Sequence, residues 1–342
     1  YPHGEHPLTE YLRTWARRVP DKPAVIHYGY SLSYAQLDVA SDQFAALLAS
    51  HGVVPGDRVA VFLPNLPQFH IAFFGILKLG AVHVPVSPMS LAFELAHELT
   101  DTGAVALVAL DALMPVVREV LADASHTTSV QQVFVTGFAD LLPATPTLPV
   151  HDSLRAPRIP CPDAIELMPA LAAIAAHGTP APAHRPGLDD IAALNYTGGT
   201  TGLPKGCVHT QRDMLYTAAS NFGIALENTD DTVFLSFFPQ FWIAGENLGL
   251  IFPVFCGATL VLLTRWDPVA VMAAVQQYKV TCMAMPVDGA VELMDHPRFA
   301  EFDLRSLRQV RVVSFVKKLN LDYRRRWQQL TGGILAEAAW GM

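Results

Sequence analysis

The sequence predicts an α/β fold with mostly parallel strands and helices on both faces of the sheets. Two observations carry this. Apolar, β-branched runs alternate with segments of helical periodicity along most of the chain, and glycines close several of the helical segments. Such alternation implies crossover connections and parallel pairing. A third observation, the length of 342 residues, exceeds one ordinary core and predicts two lobes, about 1–141 and 187–342.

The elements follow in order. Ser33 and Gln36 have capping-box spacing, and Leu37, Ala40, Phe44, Leu47 and Leu48 then recur on one helical face. Gly52 ends that helix, and "RVAVFLP" (Arg58–Pro64) reads as a buried strand. A helix over 68–79 stops at Gly80, and "AVHVPVS" follows as a strand. Next come a helix over 91–100, strand "AVALVAL", a helix over 113–124 and strand "QQVFVTG". From about 142 to 186 the composition turns to proline, alanine and histidine, as in "LPATPTLPV" and "TPAPAHRPG"; this is a connecting stretch, part of which is expected to pack. Strand 191–196, a helix from Gln211 and strand "TVFLSFFP" resume the pattern. In the uncharged run 247–264, Pro253 and Gly257 divide a short helix from the strand "ATLVLL", so no transmembrane span is expected. Asp267 and Pro268 start another helix as N-cap and N1. Strands "TCMAMPV" and "QVRVVSF", the amphipathic helix "NLDYRRRWQQL" and "ILAEAAWGM" complete the chain.

Bulk chemistry narrows the function. A net charge of −8 leaves no basic excess for nucleic acid, so an anionic ligand must be held locally. Cys161, Cys207, Cys256 and Cys282 are widely spaced, and no basic, apolar leader opens the chain; reduced thiols and a cytoplasmic location are expected. No H-E-x-x-H, Cys/His ligand spacing or G-x-S-x-G occurs, which argues against a structural metal and a serine hydrolase. Asp189–Asp190 reads as a cap before its strand, and His209 either nears a phosphate or makes a strand-end hydrogen bond.

The stretch "YTGGTTGLPKG" (Tyr196–Gly206) is the most informative. Gly198, Gly199 and Gly202 let backbone amides converge, Thr197, Thr200 and Thr201 add hydroxyls, and Lys205 adds a mobile charge. Together these make a polyphosphate cradle; a tight turn between two strands is the plainer alternative. The Walker pattern is absent, because Leu203 and Pro204 part Gly202 from Lys205.

This loop resembles the phosphate-binding loop of the adenylate-forming superfamily, which usually has serine at the position of Gly198. In matching order, "SLSYAQLDVASDQFAALLASHGVVPGDRVAVFLPNLPQF" and "FFGILKLGAVHVPVSP" are similar to its N-terminal region. "PQFWIAG" resembles the segment bearing an aromatic gate residue, here Trp242, and "AWGM" the start of its Tyr-Gly-x-Thr-Glu motif. The stretch 84–110 reads most like fatty-acyl-CoA ligases.

The resemblance implies stacked αβαβα layers with two mostly parallel sheets, as in the superfamily's N-terminal domain, with the small C-terminal domain outside this chain. It implies ATP, Mg²⁺ and coenzyme A as cofactors and a fatty or other hydrophobic carboxylic acid as substrate. Acyl-adenylate forms first, then a thioester. Lys205, Thr200 and Trp242 take catalytic roles. Thr197, Gly198, Gly199, Thr200, Thr201, Gly202, Lys205, Ser314, Phe315, Val316, Trp340, Gly341 and Met342 hold the nucleotide, with Trp340 stacking on adenine. Each tryptophan has core filling as its alternative. The same holds for Phe237, Phe238, Phe241 and Met285, which could otherwise line an acyl pocket.

"SFVKKL" (Ser314–Leu319) replaces a Gly-rich stretch that lines the family's adenine pocket, and Phe315 and Val316 do not offer glycine's close approach. Lys317 and Lys318 read as a solvated basic pair or as a compensating anion site. The family's Mg²⁺-binding glutamate, ribose aspartate and C-terminal lysine fall outside these residues, so little adenylation by the 342 residues alone is expected. Two other readings stay open: transfer to a carrier-protein thiol, and a non-catalytic acyl or anion binder. Oligomeric state is left open.

Overall fold

The structure, a computed structural model, describes residues 1–339 apart from 2, 126, 199–201 and 225–230. The expected site residues Gly199, Thr200, Thr201, Trp340, Gly341 and Met342 therefore lie outside the described residues.

The chain begins with helix α1 (Leu8–Arg18), then strands β1 (Pro23–His27) and β2 (Tyr30–Ser33) and helix α2 (Tyr34–Ser50). Next come β3 (Arg58–Phe62), α3 (Pro67–Leu79), β4 (Val82–Pro85), α4 (Ala92–Thr102), β5 (Ala106–Leu110), α5 (Met114–Ala122) and β6 (Gln132–Thr136). The proline- and alanine-rich stretch contains β7 (Ile165–Glu166) and α6 (Leu167–Ala176). After it run β8 (Ile191–Tyr196), β9 (Gly206–Thr210), α7 (Gln211–Ile224), β10 (Val233–Ser236), α8 (Ile243–Glu246), a π-helical turn (Asn247–Ile251), α9 (Phe252–Cys256) and β11 (Thr259–Leu262). The last elements are α10 (Pro268–Tyr278), β12 (Cys282–Pro286), α11 (Val287–Asp295), β13 (Gln309–Val313), α12 (Leu321–Thr331) and β14 (Ile334–Ala339).

The local start signals behave as their chemistry dictates. The Ser33 hydroxyl accepts from the Gln36 amide while the Gln36 side chain accepts from the Ser33 amide, closing the capping box. Asp267 accepts from the Ala270 amide at 2.8 Å and Asn320 from the Tyr323 amide at 2.9 Å. Gly80 and Gly257 end α3 and α9 in the left-handed conformation.

Two seven-stranded sheets result, in the orders β14-β13-β12-β10-β11-β1-β2 and β7-β6-β5-β3-β4-β8-β9. All neighbours are parallel except the terminal pairs β1–β2 and β8–β9. The sheets cross the division of the chain expected at 142–186. β1 and β2 complete the sheet of the C-terminal strands, while β8 and β9 complete that of the N-terminal strands.

Alternating strand residues sort into separate cores, as period-two geometry requires. Val59 and Val61 of β3, with Phe234 and Leu260 from the other sheet, share one core with α1, α2, α3, α6 and α9. Leu235, Val261, Met283 and Val310 face a second core with α10, α11 and Trp327 of α12. Ala60, Phe62 and Leu107 face a third with α4 and α5. The layers are thus αβαβα, as expected. Helix α3 lies in the middle layer and is buried along its whole length. Its Gly75 is required there: a Cβ would stand 2.9 Å from the Ser41 carbonyl and 2.7 Å from the Phe44 ring.

Candidate active site

The predicted loop is the tip of an antiparallel β8–β9 hairpin in which Tyr196 is paired with Gly206. The turn between two strands is therefore what the backbone forms here, and the cradle reading concerns that same turn. At its neck the Thr197 amide donates to the Lys205 carbonyl at 3.0 Å, and the Lys205 amide reaches the Thr197 hydroxyl at 3.4 Å. Helix α4 fixes the same neck from the side. His97 Nε2 donates to the Pro204 carbonyl at 2.9 Å, and the Tyr196 hydroxyl donates to Asp101. Burial, and then that carboxylate, raise the Tyr196 pKa, so the phenol keeps its proton.

Gly198 and Gly202, among the described residues beyond the neck, have room around them. A Cβ at Gly198 or Gly202 would meet nothing within 4 Å. Lys205 is exposed and makes no ion pair among the described residues. A cation and open backbone on a base pinned by four hydrogen bonds suit an anionic guest.

Trp242 sits beyond the end of β10, as the N-cap of α8, and is 51% exposed. That exposure removes core filling as its explanation. Its turn is held from both sides by buried polar groups. Asn65, just after β3, donates through Nδ2 to the carbonyls of Phe238 (2.9 Å) and Leu263 (3.1 Å) and accepts from the Gln240 amide at 2.8 Å. The carboxyl ends of β3 in one sheet and of β10 and β11 in the other therefore meet along a seam, where ligands bind in open parallel sheets. On the far side, Glu246 accepts from Asn195 Nδ2 at 2.9 Å, tying α8 to β8 one residue before the loop. Gly245 is obligatory in this turn, because a Cβ would stand 1.9 Å from the Pro239 carbonyl.

The run divides into a helix and strand β11 as expected, the helix passing through Pro253 by way of the π turn and ending at Gly257. Proline cannot donate to the carbonyl four residues earlier, that of Gly249. His70 Nε2 on α3 donates to that carbonyl instead, at 2.9 Å.

Ser314 follows β13, two strands across from β10. Glu337 accepts from its amide at 2.9 Å and its hydroxyl at 2.6 Å. Lys318 folds back to donate to the carbonyls of Ser314 and Phe315, and the Lys317 amide donates to Asp288. The turn is held by these bonds to its own carbonyls, β14 and α11, leaving Phe315 and Val316 exposed at its tip. Lys318 is thus a capping group of its own turn. Among the described residues, no hydrogen bond or ion pair joins 314–316 to the loop at 196–206.

Of the apolar candidates, Met285 and Phe237 are buried in the second core, while Phe238 and Phe241 are half-buried beside the first. Phe237 stacks on Phe238 and meets the Trp266 edge. Sequence reasoning passed over Asn65, His83, Asn195, Gln240 and Glu246. Their signal was available: each is a polar residue in or near an apolar run, and such a residue needs a specific partner once buried.

Over residues 12–342 the chain matches the family model described as AMP-binding enzyme. The chain belongs to the AMP-binding enzyme family. It is 28% identical over 345 residues to a long-chain-fatty-acid–CoA ligase of Bacillus subtilis, a match covering 96% of this chain and 59% of that protein. It is 33% identical over 293 residues to the salicyl-AMP ligase / salicyl-S-ArCP synthetase of Mycobacterium tuberculosis, covering 81% of this chain and 46% of the relative. Its fold matches the Mycobacterium tuberculosis fatty acyl CoA synthetase with a TM-score of 0.78 at 24% identity, over 98% of this chain and 59% of that one. This AMP-binding chain therefore spans roughly half to three-fifths of those proteins' lengths. Among its described residues no helix is long and apolar enough to cross a membrane.

Proposed function

We propose that the full-length protein is an AMP-forming acyl-CoA synthetase acting on a fatty or other hydrophobic carboxylic acid. The observation that carries this is Lys205, exposed without a partner ion among the described residues, on a pinned hairpin neck at the carboxyl end of a parallel sheet. In the first step a carboxylate oxygen bonds to the α-phosphorus of ATP and pyrophosphate leaves. In the second, the thiol of coenzyme A attacks the acyl carbon and AMP leaves.

The chain's own groups serve the first step by placement and charge. Lys205 and the amides at Gly198 and Gly202 would face the β- and γ-phosphates, offsetting charge as pyrophosphate departs. Thr197 is committed to the neck and would act by holding it shut. Trp242 would divide the acyl space from the nucleotide, its backbone held by the turn between Asn65 and Glu246. Mg²⁺, when bound with ATP, supplies further charge neutralisation. The described residues gather no three-ligand metal cluster, so phosphate oxygens and water would supply much of its shell.

The match to the salicyl-AMP ligase supports a second reading, in which the acceptor is a carrier-protein thiol. ATP–pyrophosphate exchange by the full-length protein with a panel of acids tests the first step. Exchange driven by medium- or long-chain fatty acids is expected. No exchange with any acid, together with no thermal stabilisation by ATP·Mg²⁺ or a non-hydrolysable acyl-adenylate mimic, would leave only a non-catalytic binding role. Thioester formation with free coenzyme A, as against carrier protein, then identifies the acceptor.

A further inference from the structure

Glu246 is fully buried in the last turn of α8, four residues after Trp242, and its amide donates to the Trp242 carbonyl at 2.8 Å. Its carboxyl oxygen Oε2 accepts from Asn195 on β8 and lies 3.9 Å from His83 Nε2 on β4. His83 is also fully buried. It is walled by the edges of Phe69 and Phe73 from α3, and β4 is paired to β8 in register at His83 and Ala193. Among the described residues Glu246 Oε1, Asn195 Oδ1 and both His83 ring nitrogens have no hydrogen-bond partner. Such a cluster is an expensive way to fill a core, because apolar groups of equal volume often serve as well or better. Its position offers the reason: it joins the strand that leads into the loop to the helix that presents Trp242.

We propose that Glu246 is a positioning residue, which, by holding Asn195 and facing His83, locks the Trp242 turn to the strand carrying the phosphate-binding loop. On this assignment the loop and the tryptophan move as one body, so displacement of one displaces the other. The assignment rests on the functional reading above for its consequence in catalysis, but its mechanical content stands apart from activity. Burial pushes the carboxyl up to about 7 and holds the imidazole down to about 3, so an uncharged contact suffices. Glutamine at 246 therefore preserves it, accepting from Asn195 with the same shape.

The experiment measures hydrogen exchange of the unliganded chain, followed by steady-state kinetics of the full-length protein. Glu246→Leu should speed exchange on the order of tenfold in peptides covering both 239–247 and 191–206, with the central strands unchanged. Glu246→Gln should leave both within about twofold. Asn195→Ala, which removes the other end of the bond, should reproduce the paired pattern and serves if Glu246→Leu does not fold. In the full-length protein Glu246→Leu should raise the KM for the acid about tenfold and Glu246→Gln should restore it. Faster exchange confined to 239–247, or a glutamine variant as loose as the leucine variant, overturns the assignment. A wild-type protein without ligase activity, but with the paired exchange pattern, instead overturns only the reaction proposed above.

Discussion

Asn65→Ala tests the seam that brings the two sheets' carboxyl ends together. Asn65 is 1% exposed and serves three buried backbone groups: the carbonyls of Phe238 and Leu263 and the amide of Gln240. Alanine strands all three. Leaving one buried polar group unpaired costs about 1–3 kcal/mol, and carbonyls tolerate it better than amides, so a loss of about 4 kcal/mol is expected. That is a large part of an ordinary domain's margin of about 5–15 kcal/mol. Asn65→Asp should cost at least as much at neutral pH, because a carboxylate oxygen would replace the donor facing two carbonyls. Urea unfolding with a shared slope reads both variants. A loss below about 1 kcal/mol for alanine would refute the claim that Asn65 holds the seam.

The remaining expectations are briefer. His27, His70 and His83 are buried and held down to about 3, 4 and 3, so their contribution is complete above pH 6.5 and is lost as pH falls toward those values. Glu246, raised to about 7, works the other way, its contribution being full below 4.5 and lost as pH rises through 7. Unfolding at pH 7 and pH 5 should therefore show Glu246→Gln losing about 2 kcal/mol more than wild type on acidification, and equal losses would contradict the buried carboxyl. Two glycines should respond oppositely. Gly245→Ala drives a Cβ into the Pro239 carbonyl and should cost several kcal/mol (about 3 or more) by urea unfolding. Gly198→Ser enters open space, so stability should stay within about 0.5 kcal/mol, while the added hydroxyl tightens ATP binding by titration.

What could be read in advance was local. The caps at Ser33 and Asp267 are decided by residues three apart, so their chemistry is visible in the sequence. The β1–β2 hairpin was not read, because its turn uses Tyr28 and Gly29, both at positive φ, in place of a common Asn-Gly pair. Sheet membership was illegible for a different reason: β1 pairs with β11, more than two hundred residues away, and nothing local to β1 specifies that partner. At the site, the loop stood out by composition and Trp242 by the resemblance of its segment, whereas Asn195, His83 and Glu246 acquire meaning only once three separate elements bring them together. That the helix would run through Pro253 was not legible, because the compensating donor, His70, lies on α3 in the middle layer.

The most direct measurement is ATP·Mg²⁺ affinity by calorimetric titration of wild type and Lys205→Met. A lysine that grips the outer phosphates through one charge-assisted contact predicts a loss on the order of tenfold or more, with the unfolding midpoint unchanged because Lys205 is exposed. Equal affinity in the two proteins, with wild-type binding clearly measurable, would place the nucleotide elsewhere and contradict the reading of the hairpin tip as its cradle.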